Sequence, residues 1–383
     1  MAIYLDYNAS SPIDSRVVEK MIDVYRNYIG NADSRMHDYG DEARKIVEKA
    51  RNQVASILGV SKDEVFFTSG ATESNNIAIQ GLRTYAEETG KKHIVTTAIE
   101  HKAVIETCKR MLEYGFEVDV VTPDSSGRVS EKAVFEKVRE DTLLVSVMHV
   151  NNETGVIQPV KEIGEYLSKK DTLFHVDATQ SFGKLVDELK ELKYDMLSMS
   201  AHKIYGPQGV GALILRRKHY KLPPVKSVYC GGQQEHGIRP GTVPVALIAG
   251  LGEACAIAEA EYGDELKRLK QIKEMMINEL DNSGLKYGFN GDPKYTIDST
   301  MSLHIDGVSS EALMLSAKQY CGVSNGSACN SNSYDLSYVL RAMSVPDEVI
   351  KNTVRISWGR GTDLETCKTE FRHFLVKAKE LVW

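Results

Sequence analysis

Short apolar runs recur through the first half of the chain, separated by stretches in which apolar residues return every three or four positions. Glu64-Val-Phe-Phe67, His93-Ile-Val-Thr96, Val118-Asp-Val-Val121, Leu143-Leu-Val-Ser-Val147, Leu173-Phe-His-Val176 and Asp195-Met-Leu-Ser198 are four or five residues each. Most are rich in β-branched residues, as strands buried on both faces are. Between them the pattern predicts helices over 73–88, 102–114, 130–139 and 160–169. Strand alternating with helix predicts an α/β fold, a mainly parallel sheet covered by helices on both faces. The run Gly209-Val-Gly-Ala-Leu-Ile-Leu215 adds one more strand, for which an antiparallel setting is open.

The pattern changes after about residue 243. An Ala-, Glu-, Lys- and Leu-rich stretch over 243–277 predicts two helices, or one helix kinked near Gly263. Thr300-Met-Ser-Leu-His-Ile305 alternates and predicts a half-buried strand. A helix over 309–320, a polar loop and a strand at Thr353-Val-Arg-Ile-Ser357 follow, so the rest is a smaller α+β unit. The expected division is a large unit over 14–260 and a small one built from 1–13 and 261–383.

Composition narrows the function. The 383 residues are 42% hydrophobic and 26% charged, an ordinary globular balance with material for a large core. Net charge is −6 with no basic block, which argues against direct nucleic-acid binding. The start Met-Ala-Ile-Tyr-Leu lacks a charged leader with an apolar core, and no apolar run approaches the ~18 residues of a membrane span. Cys108, Cys230, Cys255, Cys321, Cys329 and Cys367 are scattered without a C-x-x-C pair, which favours reduced thiols and a soluble, cytoplasmic enzyme.

The candidate chemistry gathers at strand ends. Lys203 stands where the apolar run 194–197 gives way to Ser200-Ala-His-Lys-Ile-Tyr-Gly-Pro207, placed to form a Schiff base with an aldehyde cofactor, with Ser200 and His202 beside it for a phosphate. Gly70-Ala-Thr-Glu-Ser-Asn75 follows a strand and opens a helix, a natural phosphate seat, although Thr72 or Ser69 would serve equally as a plain N-cap. Asp177 closes a strand with Gln180 three residues on, and an Asp there points into the ligand crevice of an α/β fold. His175 and Asp177 lack a third ligand at suitable spacing, so no metal is expected. His101 suits ring stacking and proton handling, or a structural role. Asn152 occupies the same sheet edge. Arg355 offers a two-pronged grip on a carboxylate, or a buried salt bridge. In Ser324-Asn-Gly-Ser-Ala-Cys-Asn-Ser-Asn-Ser333 only Ala328 and Cys329 are not Ser, Asn or Gly. So polar a setting predicts an exposed, movable thiol; the other five cysteines read as buried small hydrophobes.

Taken together, these segments make the chain resemble the cysteine desulfurases of iron–sulfur assembly, in the class V aminotransferase family of pyridoxal-phosphate fold type I. The likeness runs from Ile3-Tyr-Leu-Asp-Tyr-Asn-Ala9 to about Gly361. It includes Thr68-Ser-Gly-Ala-Thr-Glu-Ser74, Glu100-His-Lys-Ala-Val104, His149-Val-Asn-Asn-Glu153, His175-Val-Asp-Ala-Thr-Gln180, Arg239-Pro-Gly-Thr242 and Gly326-Ser-Ala-Cys329. The resemblance implies a large domain with a seven-stranded sheet. It implies that Lys203 carries pyridoxal 5′-phosphate, that Ala71 and Asn152 contact the cofactor, and that Thr72, Ser200 and His202 seat the phosphate, with Thr242 reaching over from the other subunit of a homodimer. Asp177 would pair with the ring nitrogen, Gln180 with the ring hydroxyl, and His101 would stack and relay protons. Asn152 and Arg355 would hold the substrate carboxylate, and Cys329 would be the nucleophile. The implied reaction converts L-cysteine to L-alanine, leaving a persulfide on Cys329 for an acceptor protein. Selenocysteine lyase activity, or a sulfur-transfer platform with weak catalysis, are the competing expectations. Asn325 and Asn330 replace the family's usual Ser and Thr. Relatives that feed the general iron–sulfur scaffold carry a C-terminal docking tail, whereas this sequence stops at Trp383. That difference keeps tRNA thiolation, nitrogenase assembly and DNA phosphorothioation open as destinations for the sulfur.

Overall fold

The computed structural model describes residues 2–326 and 336–382. In chain order its strands begin with β1 (Ile3–Tyr4), β2 (Val65–Thr68), β3 (His93–Thr97), β4 (Glu117–Val121), β5 (Thr142–Met148), β6 (Leu173–Asp177), β7 (Met196–Ser200) and β8 (Gly211–Leu215). They continue with β9 (Tyr287–Phe289), β10 (Thr300–Ile305), β11 (Cys321–Gly322) and β12 (Thr353–Ser357). Among the described residues β2 to β8 form the expected seven-stranded sheet, in the order β2-β8-β7-β6-β5-β3-β4. Neighbours from β4 through β7 run parallel, while β8 is antiparallel to both β2 and β7.

Strand periodicity accounts for the two-sided packing. Successive side chains point to opposite faces, so Val95, Val145 and Leu197 enter one apolar core while their neighbours Ile94, Leu144 and Met196 enter the other. A third core lies beyond the sheet, where β10 and β12 pack with Leu269, Ile272, Met276, Phe371 and Phe374.

Three elements differ from the sequence expectation. The helix expected over 73–88 is two, Ala71–Gln80 and Arg83–Thr89. At Gly81 a Cβ would lie 2.6 Å from the carbonyl oxygen of Lys226, whose N–H bonds back to the Gly81 carbonyl. The crossing chain takes the space a straight helix would need. The stretch expected to break near Gly263 is one helix, Val245–Asp281, of 37 residues. Gly263 is surrounded by open space, so nothing there requires a bend, and its propensity cost of about 1 kcal/mol is outweighed by the packed turns on either side. Finally β10, expected half-buried, has only His304 partly exposed, because β9 and β12 flank it and helices cover its sheet. Among the described residues no helix is long and apolar enough to cross a membrane.

Candidate active site

Parallel register brings the C-terminal ends of β5, β6 and β7 to one edge, with Met148 opposite Asp177 and Asp177 opposite Ser198. Ligands of open α/β sheets bind outside such an edge. Asp177 is buried there. Its Oδ2 accepts from Asn75 Nδ2 at 2.7 Å, and its Oδ1 from the Thr179 N–H at 3.0 Å and the Thr179 hydroxyl at 2.5 Å. Three donors fix one carboxylate in place, and Asn75 carries it onto the helix that starts at Ala71.

That start is the second wall. Gly70 sits at φ +151°, which only glycine adopts without strain, and caps the helix without a side-chain bond. The first N–H groups of any helix lack intrahelical acceptors. A Cβ on Gly70 would lie 3.5 Å from Ser200 Oγ, and one on Gly211 of β8 would lie 2.7 Å from the Gly70 Cα. Two glycines thus bring bare main chain against the end of β7. Ala71 and Thr72 form the first turn, and Thr72 is exposed. Glu73 accepts from the Ser69 N–H at 2.5 Å and from Arg239 Nε at 3.0 Å, tying the 239–242 segment to this helix. Thr242 itself is exposed.

Lys203 follows β7 on a short turn, Ala201–Lys203. Its Nζ donates to the carbonyls of Asn8 at 2.5 Å and Ala9 at 2.8 Å. Beside it, the His202 Nδ1 is 3.3 Å from the Ser10 hydroxyl. Burial, reinforced by the Lys203 charge, lowers its pKa to about 4, so the ring is neutral near pH 7. His101 caps the helix Lys102–Leu112, its Nδ1 accepting from the Ala103 N–H at 3.1 Å. In a neutral ring that bond leaves the proton on Nε2.

The rim is built by the N-terminal segment. Asn8 accepts from Gln180 Nε2 at 3.0 Å as well as from Lys203, donates through Nδ2 to the Asn152 carbonyl at 3.2 Å and to Thr300 at 3.0 Å, and donates its N–H to the Ser357 hydroxyl at 2.9 Å. Arg355 donates to the Asn152 carbonyl at 3.0 Å and to Asp6 at 2.7 Å. Among the described residues, the oxygens Asn152 Oδ1 and Gln180 Oε1, and the donor Arg355 Nε, are buried without partners. Orphaned polar atoms cost about 1–3 kcal/mol each, and a polar ligand would satisfy them.

Pyridoxal phosphate fits this arrangement. An amine, a fixed carboxylate, a bare helix start beside a serine, and unpaired amide oxygens are the set of donors and acceptors it needs. His175 plays a structural part instead: its two nitrogens meet the Ser146 and Ser198 hydroxyls at 2.8 and 2.9 Å, and burial lowers its pKa to about 4.

Several participants carried no signal in the sequence reading. Asn8 and Asp6 lay in a quoted motif but had no role. Glu100 is fully buried, accepts from the Thr97 hydroxyl and the Met148 N–H, and burial raises its pKa to about 8. Glu153 is buried too, accepts from the Ser337 hydroxyl at 2.5 Å, and burial raises its pKa. Cys108, Cys255, Cys321 and Cys367 are buried as expected, and burial raises each thiol, Cys108 and Cys367 to about 12. Cys230 is exposed, contrary to expectation, because it lies in a surface turn before Gly231 and Gly232. Cys329 lies outside the described residues.

The chain is similar to known proteins along most of its length. The sequence profile described as aminotransferase class-V matches residues 3–367. The cysteine desulfurase IscS of Serratia proteamaculans is 44% identical over 367 residues, covering 95% of this chain and 90% of the relative. The IscS of Pasteurella multocida is also 44% identical, with the same coverage. Among solved structures, a NifS-like protein superposes with a TM-score of 0.90 at 36% identity, covering all of both chains. DndA from Streptomyces lividans gives 0.80 at 42%, covering 94% of this chain and 100% of its own. SspA in complex with cysteine gives 0.81 at 34%, covering 93% and 98%. The chain belongs to the class-V aminotransferase family of pyridoxal-phosphate enzymes, within its cysteine desulfurases.

Proposed function

We propose that the site removes sulfur from L-cysteine, releases L-alanine, and holds the sulfur as a persulfide on Cys329 for an acceptor protein. The observation that carries the reading is the convergence of Lys203, Asp177 and the Gly70 turn on one sheet edge. Pyridoxal phosphate supplies an aldehyde carbon for an amine and a ring that withdraws electrons from bonds at the amino acid's Cα. Lys203 would hold it through Nζ, leaving the Asn8 and Ala9 carbonyls. Ala71, Thr72, Ser200 and His202 would seat the phosphate, with Thr242 of a second subunit. Asp177 would hold a proton on the ring nitrogen, Gln180 would face the ring hydroxyl, and His101 would lie on the ring and move a proton through Nε2. Asn152 and Arg355 would grip the substrate carboxylate. The Cys329 thiolate attacks the substrate sulfur, so an S–S bond forms as the Cβ–S bond breaks, and the carbon takes a proton to leave as alanine. The high pKa of the four buried thiols supports a nucleophile elsewhere.

The division into 14–260 and 1–13 with 261–383 belongs to the same reading; the separate core around β10 and β12 supports it, whereas Val339, Leu340, Met343 and Ile350 pack into the core of the large sheet. The test is alanine and sulfide production from L-cysteine with a thiol reductant. Matched products, lost in Cys329→Ala, are expected. Alanine formation that survives the substitution overturns the persulfide step and favours selenocysteine lyase activity.

A further inference from the structure

The geometry points to Asp6 as the residue that positions Arg355 for the substrate carboxylate. The inference rests on Arg355 being that clamp.

Arg355 belongs to β12, and the chain from Leu5 to Asn8 runs alongside it. The Ser357 N–H bonds to the Leu5 carbonyl at 2.9 Å, and Asp6 bridges Ser357 in parallel. Tyr4 braces the turn, its hydroxyl donating to the carbonyls of Asp6 at 2.9 Å and Ser10 at 2.8 Å. Main chain therefore fixes where the Asp6 carboxylate stands. From there Oδ1 accepts from Arg355 Nη2 at 2.7 Å and from the Ser324 hydroxyl at 3.0 Å. Ser324 is itself paired to Arg355 through both main-chain groups, at 2.6 and 3.2 Å. Asp6, Ser324 and Arg355 thus form a closed unit of side chain and backbone.

The guanidinium this unit holds is buried and incompletely used. Its side chain is 5% exposed, its Nη1 is committed to the Asn152 carbonyl, and its Nε–H has no acceptor among the described residues. An arginine has five N–H donors in a rigid fork, and two anchored corners fix the plane of the rest. A guanidinium oriented in advance binds a carboxylate without first giving up side-chain freedom.

A purely structural salt bridge would show itself in stability alone. A positioning role appears in substrate binding, so the cofactor-loaded enzyme is measured for kcat and KM with L-cysteine, alongside the calorimetric dissociation constant of L-alanine. Asp6→Ala is expected to raise KM about tenfold and weaken L-alanine in parallel, with kcat held within about threefold. Asp6→Asn keeps an oxygen for both Arg355 and Ser324 and should restore KM to within about threefold of native. An unchanged or lowered KM in Asp6→Ala, or an Asp6→Asn enzyme as impaired as the alanine variant, overturns the proposal. Should Asp6→Ala fail to fold, Ser324→Ala decides: removing the brace on Asp6 should raise KM about twofold to threefold, and an unchanged KM overturns it. Arg355→Ala separates the underlying reading, since losing the clamp should raise KM roughly 100-fold. If that variant keeps a native KM, the clamp itself is misassigned. If it loses binding while Asp6→Ala does not, only the positioning role fails.

Discussion

The floor and the rim of the site are built in contrasting ways. The floor is made of strand ends in register, Met148, Asp177 and Ser198, and a helix start that packs directly on them. The rim joins the two ends of the sequence, with Asp6 and Arg355, or Asn8 and Ser357, 349 positions apart. Closing so long a loop costs entropy that local strand–helix pairing does not. On the proposed reading the floor carries the cofactor chemistry and the rim the grip on the substrate carboxylate. At the rim the N-terminal segment is joined by a few hydrogen bonds to β12, which is itself laddered to β10.

This contrast can be broken most forcefully at the floor. Lys203→Ala should abolish alanine formation and the yellow colour of the bound cofactor, while the far-ultraviolet dichroism stays native. Asp177→Asn should lower kcat roughly 100-fold, because the ring nitrogen loses the charge that keeps it protonated. A kcat within tenfold of native would show that Asp177 is only a structural acceptor for Asn75 and Thr179. At the rim, Asn8→Ala removes the side-chain bonds to the Asn152 carbonyl and Thr300 and keeps the main-chain ones. Denaturant midpoints should report a loss of about 1–2 kcal/mol, with kcat reduced less than in Asp177→Asn. The reverse ranking would erase the distinction between the two regions.

The smallest effect is a dependence on pH seated in the sheet. His175 has its pKa lowered to about 4 by burial, below the value of about 6.5 expected in the unfolded chain. An imidazole shifted downward adds stability above pH ~6.5 that is lost progressively as pH falls toward 4, since the unfolded chain binds the proton more readily. Unfolding at pH 5.5 should be easier by about 1 kcal/mol than at pH 7.5 on this account. His175→Gln should flatten that slope, and a slope that persists would move its origin to other groups, His202 first among them.

The same contrast explains what could be read from residues alone. The alternation of strands and helices, and the strand-end positions of Lys203, Asp177, Asn152 and His101, follow from local apolar runs. Asp6, Asn8 and Glu153 left no such trace, because their partners come from distant segments and no short pattern announces them. Glu100 was hidden for a related reason: a glutamate beside a histidine motif reads as polar loop, whereas the fold seals it between Thr97 and Met148. Gly81 and Gly263 make the point at the level of elements. Both sit in helical patterns, yet only Gly81 meets a crossing chain, and only there does the helix end.

The helix Val245–Asp281 is about 55 Å long at 1.5 Å per residue. Its first half lies in the core behind the sheet and its second half in the core around β10 and β12. One hydrogen-bond ladder is therefore common property of both. Melting either core exposes half of that ladder's apolar surface and loosens the turns the other core needs. The molecule should accordingly unfold as one cooperative unit, with a single calorimetric transition whose heat belongs to the whole chain.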